Sequence, residues 1–484
     1  MTDGLILRSA RGRVALAATV AASAMASLDA TVVNVALPRI GRDLHAGVSS
    51  LQWALTAYLL ALSSFILLGG ALGDRLGRRK VFVAGTVWFA ASSALCGEAR
   101  DIGALIAARA LQGVGAALLT PGSLAILQAS FRQSDRAAAV GAWSGLGAVA
   151  GAIGPFAGGG LVDGPGWRWV FFINVPVAVV AVACSLAVPE SKDPHAGSRL
   201  DVRGSVLAVI SLAAATWALT EAGPLGWANR AVEAMGAAAL VAGTAFVRHV
   251  RHAEGPLVPP ALFRNRTFSV VNGATFLLYG ALGLTFFLVS YELQVVARWS
   301  ALEAGLALLP ATVLMLVLSV PSGSLGQRIG PRAQLTVGPV LTGAGLLLLA
   351  RIGPHTSWAT DVLPGAVVFG TGLVTFVAPL TATVMAAADP DHVSVASAVN
   401  NAVARAASLF ALAAIPVLSG LSAALGQAEV THSFRVALVI AAAMAASAAP
   451  LAFIGLTSRP RASHPARPVH DAGAGPPVRG GRHR

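Results

Sequence analysis

Two side chains of opposite charge, Asp29 and Arg109, stand inside otherwise apolar stretches of the sequence. Asp29 precedes Leu37 by eight residues and Arg109 follows Ile102 by seven. At the helical rise, both lie ~10 to 12 Å below one face of a membrane. Ionisable groups there usually pair or line a pathway. A carboxylate whose distance from an arginine changes would change its proton affinity. We predict that Asp29 carries a proton and Arg109 tunes it; a static structural pair is the alternative.

Other polar side chains in apolar surroundings are candidates for lining a substrate cavity, with plain interhelical contacts as the alternative. These candidates are Gln52, Tyr58, Gln112, Asn272, Tyr279, Gln294 and Glu292, the last at the outer end of its helix. A further cation, Arg405, is predicted to extend towards the inner membrane face. The ten histidines show no ligand spacing, so no metal site and no cofactor are predicted.

The composition identifies the elements that must position these residues. Apolar residues make up 56% of the 484 positions and charged residues only 11%, against roughly 25% in soluble domains. Fourteen apolar stretches lie between residues 14 and 456, and fourteen spanning helices need ~280 positions. The sequence therefore predicts an all-α polytopic membrane protein in a lipid bilayer.

The distribution of basic residues predicts the orientation. With the N-terminus inside, 24 of the 34 Lys and Arg fall in inner segments and 8 in outer loops. Inner loops of membrane proteins carry such an excess. We expect a multi-pass protein of the cytoplasmic membrane with both termini cytoplasmic. Although the net charge is +13, no single basic face emerges, which argues against nucleic-acid binding.

An internal repeat predicts two related halves. Gly70–Arg79 and Gly323–Arg332 agree at six of ten positions and lie 253 residues apart, more than half the chain. We infer two inserted helices between two six-helix bundles. The predicted division is an N-terminal bundle at 1–190, a linker with the two extra helices at 191–266, a C-terminal bundle at 267–457, and a disordered basic tail at 458–484. Such halves place a substrate site between them.

Five ordered segments resemble the fourteen-helix drug:proton antiporters of the major facilitator superfamily. Leu28–Pro38 is similar to that family's first-helix signature, Gly70–Phe82 to its motif A, and Leu105–Ala117 to its motif B. Gly154–Gly159 resembles the antiporter motif, motif C, and Trp167–Pro176 the entry to helix six. The resemblance implies the major facilitator fold with fourteen transmembrane helices.

Two departures from the family pattern are evident. Ala150 stands at the middle glycine of motif C, and Gln327 stands in the second motif A copy where the first has Asp74. The charge network of that second copy is therefore expected to be reduced.

Motif A is predicted to act as a cytoplasmic gate, in which Asp74 accepts hydrogen bonds from Arg75 and Arg79. Simple topological anchoring by the arginines is the alternative. The motif comprises Gly70, Gly73, Asp74, Arg75, Gly77, Arg78 and Arg79.

Motif C comprises Gly154, Pro155, Gly158 and Gly159. With the small residues at 145, 147 and 151, it predicts a smooth face for close helix approach. A structural seam and a dedicated antiport element are both open, and the resemblance favours the second.

The resemblance implies a secondary active transporter rather than an enzyme. We expect proton-coupled efflux of a small amphipathic organic compound, such as a drug or antibiotic, by alternating access in a functional monomer. One alternative is a metabolite or peptide transporter of the same fold. A remote alternative is an integral membrane transferase, for which Asp389–His392 is the one candidate cluster.

Overall fold

The computed structural model describes residues 4–192, 201–253, 258–387, 393–424 and 426–457, and these are almost entirely helical. The N-terminal bundle comprises α1 (Ala10–Asp43), α2 (Val48–Leu76), α3 (Arg78–Gly97), α4 (Ile102–Ser130), α5 (Gln133–Asp163), α6 (Trp169–Phe172) and α7 (Asn174–Ser185). An inserted pair follows, α8 (Val202–Leu225) and α9 (Arg230–His252). After the short α10 (Pro260–Arg264), the C-terminal bundle comprises α11 (Arg266–Val295), α12 (Ala301–Leu306), α13 (Leu309–Ile329), α14 (Pro331–Leu349), α15 (Leu363–Ala386), α16 (Val393–Leu418) and α17 (Gln427–Gly455).

The helices have the length and composition of membrane spans. Within the described ranges, thirteen of them are long and apolar enough to cross a bilayer, counting α12 with α13 as one. The shorter Trp169–Ser185 segment, α6 and α7, adds a fourteenth apolar element. The predicted all-α fold is therefore confirmed. The sixth segment is shorter than the other spans, and Ile173 between α6 and α7 keeps helical backbone angles, φ −58° and ψ −25°.

The two halves repeat the same local turn. Gly77 between α2 and α3 has φ +120°, and Gly330 between α13 and α14, 253 residues later, has φ +83°. Glycine reaches positive φ without a Cβ clash, so each copy can reverse the chain with a single residue. Each turn ends a helix that begins near the outer face and starts one that returns to it.

The N-terminal segment is fixed to an inner turn. Leu5 exchanges backbone hydrogen bonds with Ser130 at 2.7 Å and Arg132 at 3.1 Å. The amide of Leu7 donates to the Asp135 carboxylate at 2.8 Å. The segment before α1 therefore lies at the same membrane face as the turn between α4 and α5, as an even number of crossings between them requires.

The inserted pair α8–α9 packs on the seam between the bundles. α8 contacts both α2 and α16. The Trp53 indole of α2 donates to the Glu221 carboxylate of α8 at 2.6 Å. This contact attaches the pair to the outer half of the N-terminal bundle, and leaves the inner space between the bundles to the helices of the bundles themselves.

The bundles meet at the end of the molecule that the loop charges assign to the outside. The Gln294 amide of α11 donates to the Val35 carbonyl of α1 at 2.9 Å. The Gln52 amide of α2 donates to the Leu412 carbonyl of α16 at 3.1 Å. The Asp163 carboxylate at the end of α5 accepts from two backbone amides at the start of α12.

Further inward along α5 the packing is looser. A methyl group built at Gly145 or at Gly147 would meet nothing within 4 Å. Because the hydrogen bonds between the bundles in the described part of the chain all lie at the outer end, we infer a conformation that is closed outside and open inside.

Candidate functional site

Asp29 is the centre of a closed hydrogen-bond network inside the N-terminal bundle. Its Oδ2 lies 2.6 Å from Nη1 of Arg109, and its Oδ1 accepts from the Gln112 amide at 2.8 Å. Arg109 Nη1 also donates to Gln112 Oε1 at 2.7 Å. The side chains of Asp29 and Arg109 are 0% and 1% exposed. The equal depth inferred from the sequence is thus direct contact between α1 and α4.

The sixth apolar segment supplies a further hydrogen-bond donor to this carboxylate. Asn174 is the first residue of α7, and its amide reaches Asp29 Oδ1 at 3.2 Å and Ser93 Oγ at 3.0 Å. Ser93 in turn donates to the Phe171 carbonyl at 2.8 Å. Sequence reasoning missed Asn174 and Ser93. Asn174 could have been found from the sequence, because it is an asparagine within the apolar run that resembles the family's entry to helix six.

Arg109 is held from both sides of its guanidinium. Its Nε donates to the Ala54 carbonyl of α2 at 3.2 Å. Its guanidinium carbon lies 4.3 Å from the Tyr58 ring centroid and 6.0 Å from that of Phe171. Cation–π contact with two rings strengthens in a dry environment. Moving Arg109 away from Asp29 therefore requires α2 and α4 to rearrange together.

This arrangement makes each of the two charges depend on the other. A buried ion pair that loses one partner leaves an uncompensated charge, costing about 3–5 kcal/mol. Separating Asp29 from Arg109 therefore needs movement of the helices around them, because both side chains are buried.

Motif A forms two separate ion pairs at the inner turn. Arg78 Nε donates to Asp74 Oδ1 at 2.8 Å, four residues away across Gly77. The Arg79 backbone amide donates to Glu190 at 3.1 Å, and its guanidinium Nε lies 3.7 Å from that carboxylate. Arg79 contacts Glu190 rather than Asp74 in this conformation, because it points to the segment after α7, and the gate of Asp74 with Arg75 and Arg79 stays a prediction. Glu190 was not among the predicted residues.

The glycines of motif A differ in how closely neighbouring atoms approach them, as Gly70, Gly73 and Gly77 show. A methyl group at Gly77 would lie 2.7 Å from Glu190 Oε1, whereas one at Gly73 or Gly70 would find only ordinary contact distances. Gly77 therefore serves both the turn and the close approach of Glu190. In the second copy, the side chain of Gln327 lies outside what the structure describes.

Motif C divides into a packed outer part and an open inner part. A methyl at Gly154 would collide with Thr31, and one at Gly158 would lie 3.0 Å from Val32, both on α1. A methyl at Gly159 would lie 2.5 Å from Leu302 of the opposite bundle. The predicted smooth face is therefore real at these three positions. It does not extend inward to 145 and 147, because the bundles have separated there.

Pro155 belongs to the same outer contact, although a proline in mid-helix was expected mainly to permit a bend. A methyl at Gly305 of α12 would collide with the Pro155 carbonyl. Because proline lacks an N–H, the carbonyl of residue 151 has no donor from this position, which is compatible with the expected bend.

The seven predicted cavity residues occupy different places. Tyr58 and Gln112 belong to the Asp29 network, and Gln52 and Gln294 join the two bundles. Asn272 is buried and accepts from the Asn400 amide at 3.1 Å. None of these five faces open space in this conformation.

Tyr279 and Glu292 lie on α11. Tyr279 is half-buried, and its carbonyl accepts from Ser408 of α16 at 2.9 Å. Glu292 is fully buried and accepts from the Thr431 hydroxyl at 2.6 Å, while its Oε2 has no hydrogen-bond partner in the described part of the chain.

Arg405 does not reach the inner membrane face as expected. It lies twelve residues into α16, ~18 Å from the inner end at Val393. The candidate transferase cluster Asp389–His392 lies outside the described residues.

The sequence and fold resemble known transporters. The family model described as Major Facilitator Superfamily matches residues 19–412. The puromycin resistance protein of Streptomyces alboniger is 33% identical over 470 residues, 93% of this chain and 92% of that protein. A methylenomycin A resistance protein of Bacillus subtilis is 33% identical over 402 residues, 82% of this chain and 86% of that protein. The tetracenomycin C resistance and export protein of Streptomyces glaucescens is 37% identical over 324 residues, 66% of this chain and 60% of that protein.

Solved structures agree on the fold. A bacterial homologue of the human lysosomal transporter Spinster superposes with a TM-score of 0.63 at 18% identity, covering 93% of this chain and 97% of that one. The nucleoside transporter NupG gives a TM-score of 0.63 at 12% identity, covering 92% of this chain and 100% of that one.

Proposed function

The chain belongs to the major facilitator superfamily, and from this premise we propose that it exports amphipathic organic compounds, drugs or antibiotics, in exchange for protons. Relatives named for puromycin, methylenomycin A and tetracenomycin C support this class of compound. The proposed site of action is the cytoplasmic membrane, with both termini cytoplasmic. The proton gradient drives a monomer that uses no cofactor.

The observation that carries the proposal is the fully buried carboxylate of Asp29, paired with Arg109. In the inward-open conformation Asp29 is bound to Arg109. In the outward-open conformation it would take a proton from outside once Arg109 moves away, since loss of a neighbouring cation favours the neutral acid. Return to the inward-open conformation restores the ion pair and releases the proton inside. Each cycle thereby moves one proton inward.

α1 gives this exchange a mechanical basis. The same helix carries Asp29, the Val32 surface against Gly158 of α5, and the Val35 carbonyl that binds Gln294 of the other bundle. Asp29 and Val35 are only six residues apart, ~9 Å along the helix. Opening of the outer contact therefore displaces the helix that holds the carboxylate, so conformation and proton affinity change together.

The inner turn would regulate the opposite side. Asp74 with Arg78, and Glu190 with Arg79, join the α2–α3 turn to the segment after α7. Charged pairs at this turn can exchange partners when the inner ends of the bundles approach. The turn thus favours one conformation and releases when the bundles move.

The proposal is tested by proton movement in inverted membrane vesicles from an efflux-deficient host. Respiration acidifies the vesicle interior, and acridine orange reports the gradient. Puromycin or methylenomycin A, added separately, should dissipate part of the gradient in the wild type. Asp29→Asn should abolish this response, because it fixes a neutral side chain. Downhill exchange of compound should survive, since neither direction then requires a proton.

The matched control is Asp101→Asn, which makes the same change at the exposed N-cap of α4. Asparagine caps helices as well as aspartate does, so the proton response should stay at the wild-type level. If Asp29→Asn still moves protons when compound is added, a different acid carries the coupling, and Glu292 is the next to replace. If the wild type shows no response to any of the compounds, the antiport proposal is wrong for them.

A further inference from the structure

Arg405 is a membrane-embedded cation without a counter-ion. It is half-buried in α16, and within the described part of the chain it forms neither a hydrogen bond nor an ion pair. Arginine stays protonated in proteins. Charged side chains at this depth are paired or line a water-filled pathway. Because Arg405 has no such partner in the described part of the chain, it belongs to the charged side chains that line a water-filled pathway.

The register of α2 and α16 places Arg405 beside the coupling network. Gln52 binds the Leu412 carbonyl at 3.1 Å, which fixes the depth of the two antiparallel helices relative to each other. Six residues inward from Gln52 lies Tyr58, and seven inward from Leu412 lies Arg405, ~9 and ~10 Å respectively. Tyr58 and Arg405 therefore lie at nearly the same depth, and Arg109 is stacked 4.3 Å from the Tyr58 ring.

The charge at this level of the molecule does not cancel. Asp29 and Arg109 neutralise each other, which leaves Arg405 as an excess positive charge. The other charged side chains on the helices packed against α16 lie near the helix ends, away from this level. At the inner ends these are Asp74, Arg75, Arg203 and Arg266, and at the outer ends Glu221, Glu292, Glu429 and Arg435. Glu292 is thirteen residues from Tyr279, ~20 Å along α11, and is engaged with Thr431.

The surroundings of Arg405 are those of a binding site for an amphipathic molecule. The Tyr279 carbonyl of α11 accepts from Ser408 of α16, three residues from Arg405, and Tyr58 of the opposite bundle lies at a similar depth, so aromatic side chains of both bundles lie at this level. Asn401, one turn inward on the same face of α16, is exposed. An entering compound would thus find amide and aromatic groups around a single cation.

We infer that Arg405 binds an anionic group of the exported compound, so that the preferred substrates are amphipathic organic acids. A positive potential in a cleft with low-dielectric walls concentrates anions and repels cations. A guanidinium also binds carboxylate through paired hydrogen bonds. This inference rests on the proposed export function and specifies its substrate class.

The potential around Arg405 can be measured without knowing the substrate. The background is Cys96→Ala with Cys184→Ala, and Asn401→Cys introduces one thiol on the exposed turn next to Arg405. This thiol reacts with anionic sulfonatoethyl methanethiosulfonate and, separately, with cationic trimethylammonioethyl methanethiosulfonate. Each rate is divided by the rate at which the same reagent reacts with a free small thiol, and the two normalised rates are compared as a ratio. The anionic reagent should be favoured, and Arg405→Gln should lower that preference about tenfold. Arg405→Lys, the matched control, should retain it. An unchanged ratio in Arg405→Gln overturns the inference.

A second measurement tests substrate class with two matched probes. Naphthylacetate should protect the introduced thiol from neutral methyl methanethiosulfonate, and naphthylacetamide, the uncharged analogue, should not. Arg405→Gln should abolish the protection, and Arg405→Lys should preserve it. Equal protection by both probes, or by neither, overturns the preference for acids.

These readouts separate the inference from the proposed function. Neither measurement uses a proton gradient, so both can be made independently of coupling. Failure of proton coupling with intact acid protection rejects the antiport mechanism alone. Intact proton coupling without acid protection rejects the role of Arg405 alone.

Discussion

Gly159 is the position at which a single methyl group should disturb the outer contact between the bundles. A Cβ there would lie 2.5 Å from the Cα of Leu302, 2.7 Å from the Ala301 carbonyl and 2.8 Å from the Leu302 amide. These are backbone atoms at the start of α12, so no side-chain rotation can relieve the overlap. The neighbouring Gly160 offers a matched control, because a methyl there meets nothing within 4 Å.

The magnitude follows from the conformations that contain the contact. Gly159→Ala requires a shift of about 1 Å between α5 and α12, and overpacking of this kind costs about 1–3 kcal/mol. The cost applies only when the outer ends are together. An effect of 1–3 kcal/mol on one of two states changes their ratio about 5- to 150-fold. Gly159→Ala should therefore favour the outward-open conformation by that factor, and Gly160→Ala should not.

The assay uses a thiol beneath the outer contact. Asn34→Cys on α1 lies among residues covered by α11 and α12, in the background Cys96→Ala with Cys184→Ala. A membrane-impermeant maleimide added to intact cells should label it slowly when the outer contact is closed. Gly159→Ala should raise the rate about 5- to 150-fold.

Two outcomes would refute this reasoning. Equal acceleration by Gly160→Ala would mean that any methyl in this part of α5 loosens the helix. The second outcome is an unchanged labelling rate in a Gly159→Ala protein that is expressed, and elutes on gel filtration, like the wild type. It would mean that the α5–α12 contact does not hold the outer side closed.

Further predictions concern topology and the inner turn. His45→Cys should be labelled by impermeant maleimide in intact cells and Ser134→Cys only after permeabilisation; labelling of both from the same side would contradict the orientation. Asp74→Asn should lower transport about tenfold at unchanged membrane insertion, measured by compound efflux and immunoblot, because a charge-assisted acceptor is lost. Glu190→Gln should cause a comparable loss, because it binds the next arginine of the turn. Gln327→Ala should have a smaller effect, and equal loss there would contradict the inferred asymmetry of the two copies.

The sequence was sufficient for the membrane fold because each span is a long apolar run, and backbone hydrogen bonding in lipid leaves few alternatives to a helix. The third span, Arg78–Gly97, is a full helix although its first turn carries three basic residues that lower its hydropathy. What the apolar composition does not reveal is that Asn174, within the sixth segment, donates hydrogen bonds to side chains of two other helices.

Side-chain partners were predictable only where depth alone determined them. Asp29 and Arg109 share a depth, and their contact follows once α1 and α4 are neighbours. Arg405 was misplaced, and Glu190 was overlooked as the partner of Arg79. For Arg405 the sequence does not give the rotation of its helix, because a nearly uniform apolar helix surface does not specify it. For Glu190 the sequence does not give the path of the linker. The motifs identified the inner turn correctly but not which arginine Asp74 binds.

The two proposals together have an energetic consequence. A proton that enters while a monoanion leaves moves two charges in the same direction across the membrane. Each charge gains about 2.3 kcal/mol per 100 mV, so an inside-negative potential of that size would contribute about 4.6 kcal/mol per cycle. An uncharged compound would gain only half, and a monovalent cation would gain nothing. Export by way of Arg405 should therefore accelerate when valinomycin imposes an inside-negative potassium diffusion potential at zero pH gradient. Export of an acid that responds no more strongly to the potential than export of its amide would mean that the acid crosses as a neutral species, and Arg405 would then have no anion to bind.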